Sequence, residues 1–347
     1  MAVAATGFFD GVHLGHRQVI RTLVSSARER GEEAIVVTFA PHPRAVLQQD
    51  AHSLRLLNSP QEKEAMLREL GVDRVETLRF DRAFARLSAA DYIRTVLIGR
   101  FGATLLVLGF DNRLGSDRLT PDSIKPLAES LGLEVIVVPP ASIAGQFGSS
   151  PQKTSGCAGP LPSDDGPLEG QATGAPENTS IFGVVLPRAA RFSGATAEAA
   201  LAAPEPAEAV SSTKIRKALE EGSVEEAEAM LGYAYGLRGV VVSGKQLGRT
   251  LGFPTANLRL YDPMKLIPAR GVYLTEVEVL GGQYWGMTNV GDIIETHIFD
   301  FSEDIYGLDL KIRFRRWLRA MRPFHSLDAL KAQLAADEAA CLALLQK

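Results

Sequence analysis

Gly7-Phe8-Phe9-Asp10-Gly11-Val12-His13-Leu14-Gly15-His16 sets two imidazoles three residues apart in a glycine-punctuated stretch between a short apolar run and a helical pattern. Glycines allow a tight turn and close backbone approach, and a helix starting there offers unpaired N–H groups and a partial positive charge to a phosphate. Imidazolium donors on that first turn could stabilise charge growing on a phosphoryl group in flight. A surface turn with two solvated histidines fits the same spacing. A second stretch, Gly244-Lys245-Gln246-Leu247-Gly248-Arg249-Thr250-Leu251-Gly252-Phe253-Pro254-Thr255-Ala256-Asn257, follows a strand-like run. The Thr255 hydroxyl and the Asn257 amide are oxygen ligands of the kind Mg²⁺ takes beside substrate phosphates. The alternative is an Asx-type turn stiffened by Pro254.

The elements that must position these groups fall into two regimes. Up to about residue 140, short apolar runs alternate with helical stretches: Val3-Ala4-Ala5, a helix from His16 to Arg30, Ala34 to Phe39, a helix from Ser59 to Leu70 with Pro60 in its first position, and Val75 to Phe80. A helix through Tyr92 to Gly99, the run Ala103 to Leu108, a helix from Ser123 to Leu131 and the run Glu134 to Val138 continue the rhythm. Alternation of this kind predicts βαβ units, a parallel sheet with helices on its faces. Ser211-Ser212 then caps a helix through Ile215 and Leu219, which breaks at Gly222 and resumes from Val224 to Leu231. From Tyr235 the pattern changes to strand-like runs without helices between them, at 237–242, 271–280, 284–290, 295–301 and 308–314, which predicts an antiparallel barrel or sandwich. A last helix runs from Ser326 to about Leu345.

Length and composition bound the rest. The 347 residues suggest two domains, and 46% hydrophobic with 22% charged residues is ordinary for a globular chain. Lys and Arg number 37 against 41 Asp and Glu, a net charge of −4, so no global attraction for nucleic acid or an anionic membrane is expected. The basic run Lys311, Arg313, Arg315, Arg316, Arg319 and Arg322 reads as the wet face of a strand, because Ile312 and Phe314 alternate with its first members. Residues 146–209 hold 8 Pro, 8 Gly and 13 Ala, and are expected to be a mostly disordered insertion. Cys157 and Cys341 can form neither a disulfide framework nor a four-ligand zinc site, and no apolar run approaches the length of a spanning helix. With no basic leader before Asp10 and His13, the chain reads as cytoplasmic.

Gly7 to His16 resembles the HxGH motif of the nucleotidyltransferase superfamily, and more narrowly the flavin-nucleotide adenylyltransferases. Phe39-Ala40-Pro41-His42-Pro43, Gly109-Phe110-Asp111-Asn112-Arg113 and Ser211-Ser212-Thr213-Lys214-Ile215-Arg216 are similar to that family's further motifs, in the same order. Gly252-Phe253-Pro254-Thr255-Ala256-Asn257 and Ile294-Glu295-Thr296-His297-Ile298-Phe299-Asp300-Phe301 resemble riboflavin kinases. Together they match the bacterial bifunctional riboflavin kinase/FMN adenylyltransferase family.

The resemblance implies a Rossmann-like α/β domain at 1–145 and 210–234, and an antiparallel β-barrel kinase domain with a C-terminal helix at 235–347. It also implies roles. His13, His16 and Arg216 would act on the transferring phosphoryl group. Gly7, Phe9, Asp10, Gly15, Asp111, Ser212 and Thr213 would bind the nucleotide there, as Gly244, Gly248, Arg249, Thr255 and Asn257 would in the barrel. His42, Pro43 and Phe253 would contact flavin, Thr255 and Asn257 would hold Mg²⁺, and Glu295 would be the general base for the ribityl hydroxyl. ATP, riboflavin, FMN and FAD are the implied substrates and products. One departure is informative: relatives usually carry a longer loop with a Pro-Thr pair between Asn289-Val290-Gly291 and the glutamate strand, where only Asp292, Ile293 and Ile294 stand here. An adenylyltransferase whose barrel only binds flavin is therefore the alternative. A third reading changes the acceptor, as in a cytidylyltransferase, against which the two barrel matches argue.

Overall fold

The computed structural model describes residues 1–47, 55–141, 209–244 and 247–346. Cys157, Lys245, Gln246 and, apart from Ala209, the 146–209 insertion lie outside them.

The first part is a five-stranded parallel sheet in the order β3-β2-β1-β4-β5. Its strands are β1 (Ala2–Thr6), β2 (Glu33–Ala40), β3 (Arg74–Arg79), β4 (Ala103–Gly109) and β5 (Glu134–Val138). Both faces of the central strands are covered, which is why these strands read as continuous apolar runs rather than as alternation. Ala2, Ala4, Ile35, Val37, Leu106 and Leu108 join one core, whereas Val3, Ala5, Val36, Leu105 and Val107 join the other. Helix α1 (Leu14–Arg30) supplies Ile20 and Leu23 to the second core. After α2 (Pro43–Leu47), α3 (Pro60–Glu69) begins in a capping box in which Ser59 and Glu62 bond each other's backbone N–H groups, as the Ser59-Pro60 start predicts. A short α4 (Ala89–Asp91) runs into a π-helix at Tyr92–Ile98, and α5 (Pro121–Ser130) precedes β5. From β1 the chain turns first to β2 and β3 on one side, then returns to β4 and β5 on the other. The loops after β1 and β4 therefore part over the crevice where open α/β sheets bind ligands.

The second part is a closed antiparallel barrel, β10-β7-β6-β11-β8-β9. It is built from β6 (Gly236–Val242), β7 (Ala256–Leu260), β8 (Gly271–Val279), β9 (Gly282–Val290), β10 (Ile294–Ile298) and β11 (Asp309–Ala320). Strand β7 was not among the predicted runs: it lies in the stretch read as a loop, after a helical turn α8 (Leu247–Leu251). Helices α6 (Ser212–Glu220) and α7 (Val224–Leu231) give Ile215, Leu219 and Leu231 to the same core as Leu237, Ile312 and Phe314 of the barrel. The basic face of β11 is paired rather than merely wet. Lys311 and Arg313 meet Glu278, Arg315 meets Glu228 and Glu276, Arg316 meets Glu225, and Arg319 meets the buried Asp337 of α9 (Leu327–Leu345). Among the described residues no helix is long and apolar enough to cross a membrane.

Candidate active sites

The turn from Gly7 to His13 joins β1 to α1. Two of its non-glycine residues, Phe9 and Val12, have φ of 52° and 36°. Such a conformation is costly for a β-branched residue and persists only where the surroundings enforce it. Several groups do so here. The buried Asp10 carboxylate accepts from Leu57 N–H at 3.0 Å and Asn58 N–H at 3.3 Å and pairs with Arg216. Arg17 Nε donates to Val12 O at 3.1 Å, Tyr233 Oη to Gly11 O at 2.8 Å, and Ser212 Oγ to Asp10 O at 2.8 Å. Lys63 Nζ donates to Phe8 O and to Thr38 Oγ1, each at 3.0 Å, and burial lowers its pKa to about 8.

His13 is the N-cap of α1 and accepts from His16 N–H through Nδ1 at 3.4 Å, and the two rings stack with centroids 3.7 Å apart. The expected imidazolium pair is not what this environment favours. Burial, with Arg216 nearby, lowers the pKa of His13 to about 4, and burial, then repulsion from His13 when protonated and from Lys63, holds His16 well below the usual imidazole value. Both are neutral at pH 7, and His16 Nδ1 is buried without a hydrogen-bond partner. A neutral ring still donates through one N–H, and an incoming phosphate would favour its protonation.

A cavity of about 320 Å³ opens at the crevice. Its walls include Gly7, Phe9, His13, Gly15, His16, Pro43 and Asp111 of the expected residues, with Asn112, Arg113, Ala141 and Val210. Asn112 Nδ2 donates to Thr6 O at 2.9 Å and so ties the β4 loop to the end of β1. Ala141 and Val210, near either end of the undescribed 142–208 segment, are joined by a Val210 N–H bond of 3.2 Å. His42 is brought beside the turn by its ring contact with Phe8, centroids 3.9 Å apart. Asp10, Ser212, Thr213 and Arg216 are not among the walls. The cap of α6 is Ser211, whose side chain accepts from Lys214 N–H, while Ser212 is free to hold the Asp10 carbonyl. Arg216 is held by Asp10 and by Arg55 O, at 3.0 Å from Nε.

In the barrel, Glu295 of β10 pairs directly with Asn257 of β7 on one side and Asn289 of β9 on the other. Directly opposed residues share a face of the sheet. Their neighbours Thr296 and Thr288 point the other way, into a buried hydroxyl chain with Thr275, Thr275 to Thr288 at 2.8 Å and Thr288 to Thr296 at 2.9 Å. The three-strand row Asn257, Glu295, Asn289 is thus set by register alone. Asn289, which the sequence reading did not single out, has its buried Oδ1 without a partner. Only the strand register reveals it.

The glycine-rich segment closes on this row. A Cβ on Gly244 would fall on the Asn257 amide, and one on Gly248 would fall on the carbonyl of Phe253 and lie 3.1 Å from Thr255 Oγ1. Phe253 packs with Leu251, Leu274, Met287, Phe299 and Cys341, and meets the His297 ring edge-on at 5.5 Å; Arg249 is exposed. His297 Nδ1 bonds Pro254 O at 2.8 Å, and its Nε2 lies 3.6 Å from Glu338 of α9, so strand, loop and helix are pinned together. Among the described residues no cluster of three His, Cys, Asp or Glu could hold a metal ion. The Asn257 amide beside the Glu295 carboxylate, with the Thr255 hydroxyl two residues before Asn257, nevertheless offers oxygen donors of the kind that suit a hard cation sharing substrate phosphates.

Fold and sites together define a chain that couples a nucleotidyltransferase-type α/β layer to a kinase-type barrel. The FAD synthetase family profile matches residues 1–152 and the riboflavin kinase profile matches residues 231–345. The bifunctional riboflavin kinase/FMN adenylyltransferase of Bacillus subtilis is 31% identical, over 97% of this chain and 90% of its own length. The protein of that name from Escherichia coli is also 31% identical, over 97% and 90%. A solved structure titled a macrolide-efflux protein from Streptococcus pneumoniae superposes with a TM-score of 0.74 at 30% identity, covering 97% of this chain and 92% of that one. The chain belongs to the bifunctional riboflavin kinase/FMN adenylyltransferase family.

Proposed function

We propose that the barrel phosphorylates riboflavin to FMN with ATP, and that the α/β domain transfers the adenylyl group of a second ATP to FMN, giving FAD and pyrophosphate. The observation that carries this reading is that each part presents its own constellation at the place its family profile covers: the His13/His16 pair at the sheet crevice, and the Asn257, Glu295, Asn289 row on the barrel.

For adenylyl transfer, His13 and His16 lie on the cavity wall at the N-terminus of α1, where an N–H from each ring and the helix's free amides meet the α-phosphate as the FMN phosphate attacks it. No covalent intermediate is required, and catalysis is positioning and charge stabilisation. Arg216 braces the turn through Asp10 and brings a positive charge near His13. Asp111 and Pro43 on the cavity wall, with His42 against Phe8, contact nucleotide or flavin.

For phosphorylation, Glu295 takes the proton of the ribityl 5′-hydroxyl as it attacks the γ-phosphate. Thr255 and Asn257 would hold Mg²⁺, which when bound would neutralise charge on the phosphate oxygens, and Asn289 offers its unpaired oxygen to a substrate donor. The short β9–β10 connection leaves the row intact, which favours catalysis over flavin binding alone. Separate assays test the assignment. His16→Ala should lower FAD formation from FMN by about 10²–10³-fold and spare FMN formation, and Glu295→Gln should lower FMN formation by about 10²–10⁴-fold and spare adenylylation. Loss of both activities in either folded variant would refute the two-site assignment.

A further inference from the structure

The backbone from Arg55 to Asn58 is a strap with different partners on its two edges. On one edge, Leu56 N–H donates to Met264 O and Leu56 O accepts from Leu266 N–H, both at 2.8 Å, an isolated parallel bridge to the segment between β7 and β8 of the barrel. On the other edge, Leu57 and Asn58 donate their N–H groups to the Asp10 carboxylate, and Arg55 O accepts from Arg216 Nε. Asp10 is three residues from His13, inside the turn whose φ values at Phe9 and Val12 need outside support.

Lys265 stands at the centre of the barrel side of this strap. It is 5% exposed, its ammonium pairs with Glu62 of α3, and it lies 5.0 Å over the Tyr235 ring. Glu62 accepts in turn from Ser59 N–H at 2.9 Å, which fixes the chain just past Asn58. Asn58 Nδ2 donates to Tyr233 Oη at 3.2 Å, and that hydroxyl reaches Gly11 O. A buried ammonium with one carboxylate partner tolerates little displacement, because separating the pair leaves both charges uncompensated. Lys265 therefore locks the strap at the barrel, and the strap locks the turn.

We propose that Lys265 is a positioning residue for adenylyl transfer: through Glu62 and the Leu56 bridge, the barrel sets the strap that holds Asp10 and Arg216, and hence the geometry of His13 and His16. The inference rests on the reading of the α/β domain as the adenylyltransferase. It makes a barrel residue outside every barrel strand matter to the other domain's reaction and not to its own.

The test uses the full chain, with Lys265→Met and Lys265→Arg assayed separately for FMN formation from riboflavin and FAD formation from FMN. Lys265→Met should lower kcat for FAD formation at least about tenfold, as expected for a small misplacement of reacting groups, with KM for ATP and FMN nearly unchanged. FMN formation should stay within about twofold, and Lys265→Arg, which keeps a positive charge beside Glu62, should lose less kcat than Lys265→Met. Unchanged adenylylation in Lys265→Met, or a parallel fall of both activities, would overturn the proposal. If Lys265→Met does not fold, the pair Glu62→Gln, Lys265→Met removes the stranded carboxylate and is judged by the same two rates. Wild-type protein that forms no FAD from FMN would instead overturn the underlying functional reading, and the inference with it.

Discussion

His13 and His16 carry the adenylyl-transfer account, and their protonation has a measurable consequence. An unfolded imidazole takes its proton near pH 6.5, whereas folded His13 resists it until about pH 4. Between those values the unfolded state binds more protons, so stability is fully present above pH 6.5 and is lost as pH falls toward 4. At pH 5 the loss from His13 amounts to about 2 kcal/mol. Thermal denaturation from pH 7 to pH 5 should show a drop in Tm that is smaller in a His13→Asn variant; equal slopes would contradict the burial argument. At this scale the sequence reading located the histidines but not their charge state, because type and spacing do not reveal how deeply a ring will be stacked and buried. It missed Lys63 and Asn289 for the same kind of reason. A lysine inside a helical pattern and an asparagine near a strand end become notable only once neighbouring elements close over them.

At the scale of elements, the parallel strands were legible because they are short continuous apolar runs, and α3 was legible from Ser59 and Pro60. Strand β7 was not, since its five residues follow a glycine-rich stretch and its pairing with β6 and β10 is non-local. That strand nevertheless sets the row proposed for phosphorylation, because its register puts Asn257 beside Glu295. The close approach of Gly244 to Asn257 gives an element-level prediction. Gly244→Ala should push the Asn257 amide out of the row and lower riboflavin phosphorylation about 10²-fold, while FAD formation from FMN is retained. Steady-state rates for the two reactions check this, and a kinase rate at the wild-type level would mean that the segment does not need to touch Asn257. Asn289→Ala should likewise weaken phosphorylation, by about tenfold for one lost hydrogen bond, and leave adenylylation unaffected.

At the scale of the molecule, two domains could be counted from length, and the change from alternating to strand-only patterning placed the junction near Tyr235. What the linear sequence could not display is how the two parts share material. Helices α6 and α7, which the motif order assigns to the first domain, bury Ile215, Leu219 and Leu231 in the barrel's core, and the Arg55–Asn58 strap lies between the barrel and the phosphate turn. Such pairings join residues some 200 positions apart, as Asp10 and Arg216 show. The unremarkable net charge of −4 conceals the two local constellations proposed to meet phosphate and a basic strand face neutralised by acidic partners. The most direct measurement is to incubate the purified chain with riboflavin, ATP and Mg²⁺ and to resolve FMN and FAD by chromatography over time. The account predicts that FMN appears first and FAD accumulates from it. Absence of FMN with riboflavin, or absence of FAD when FMN is supplied, would contradict it.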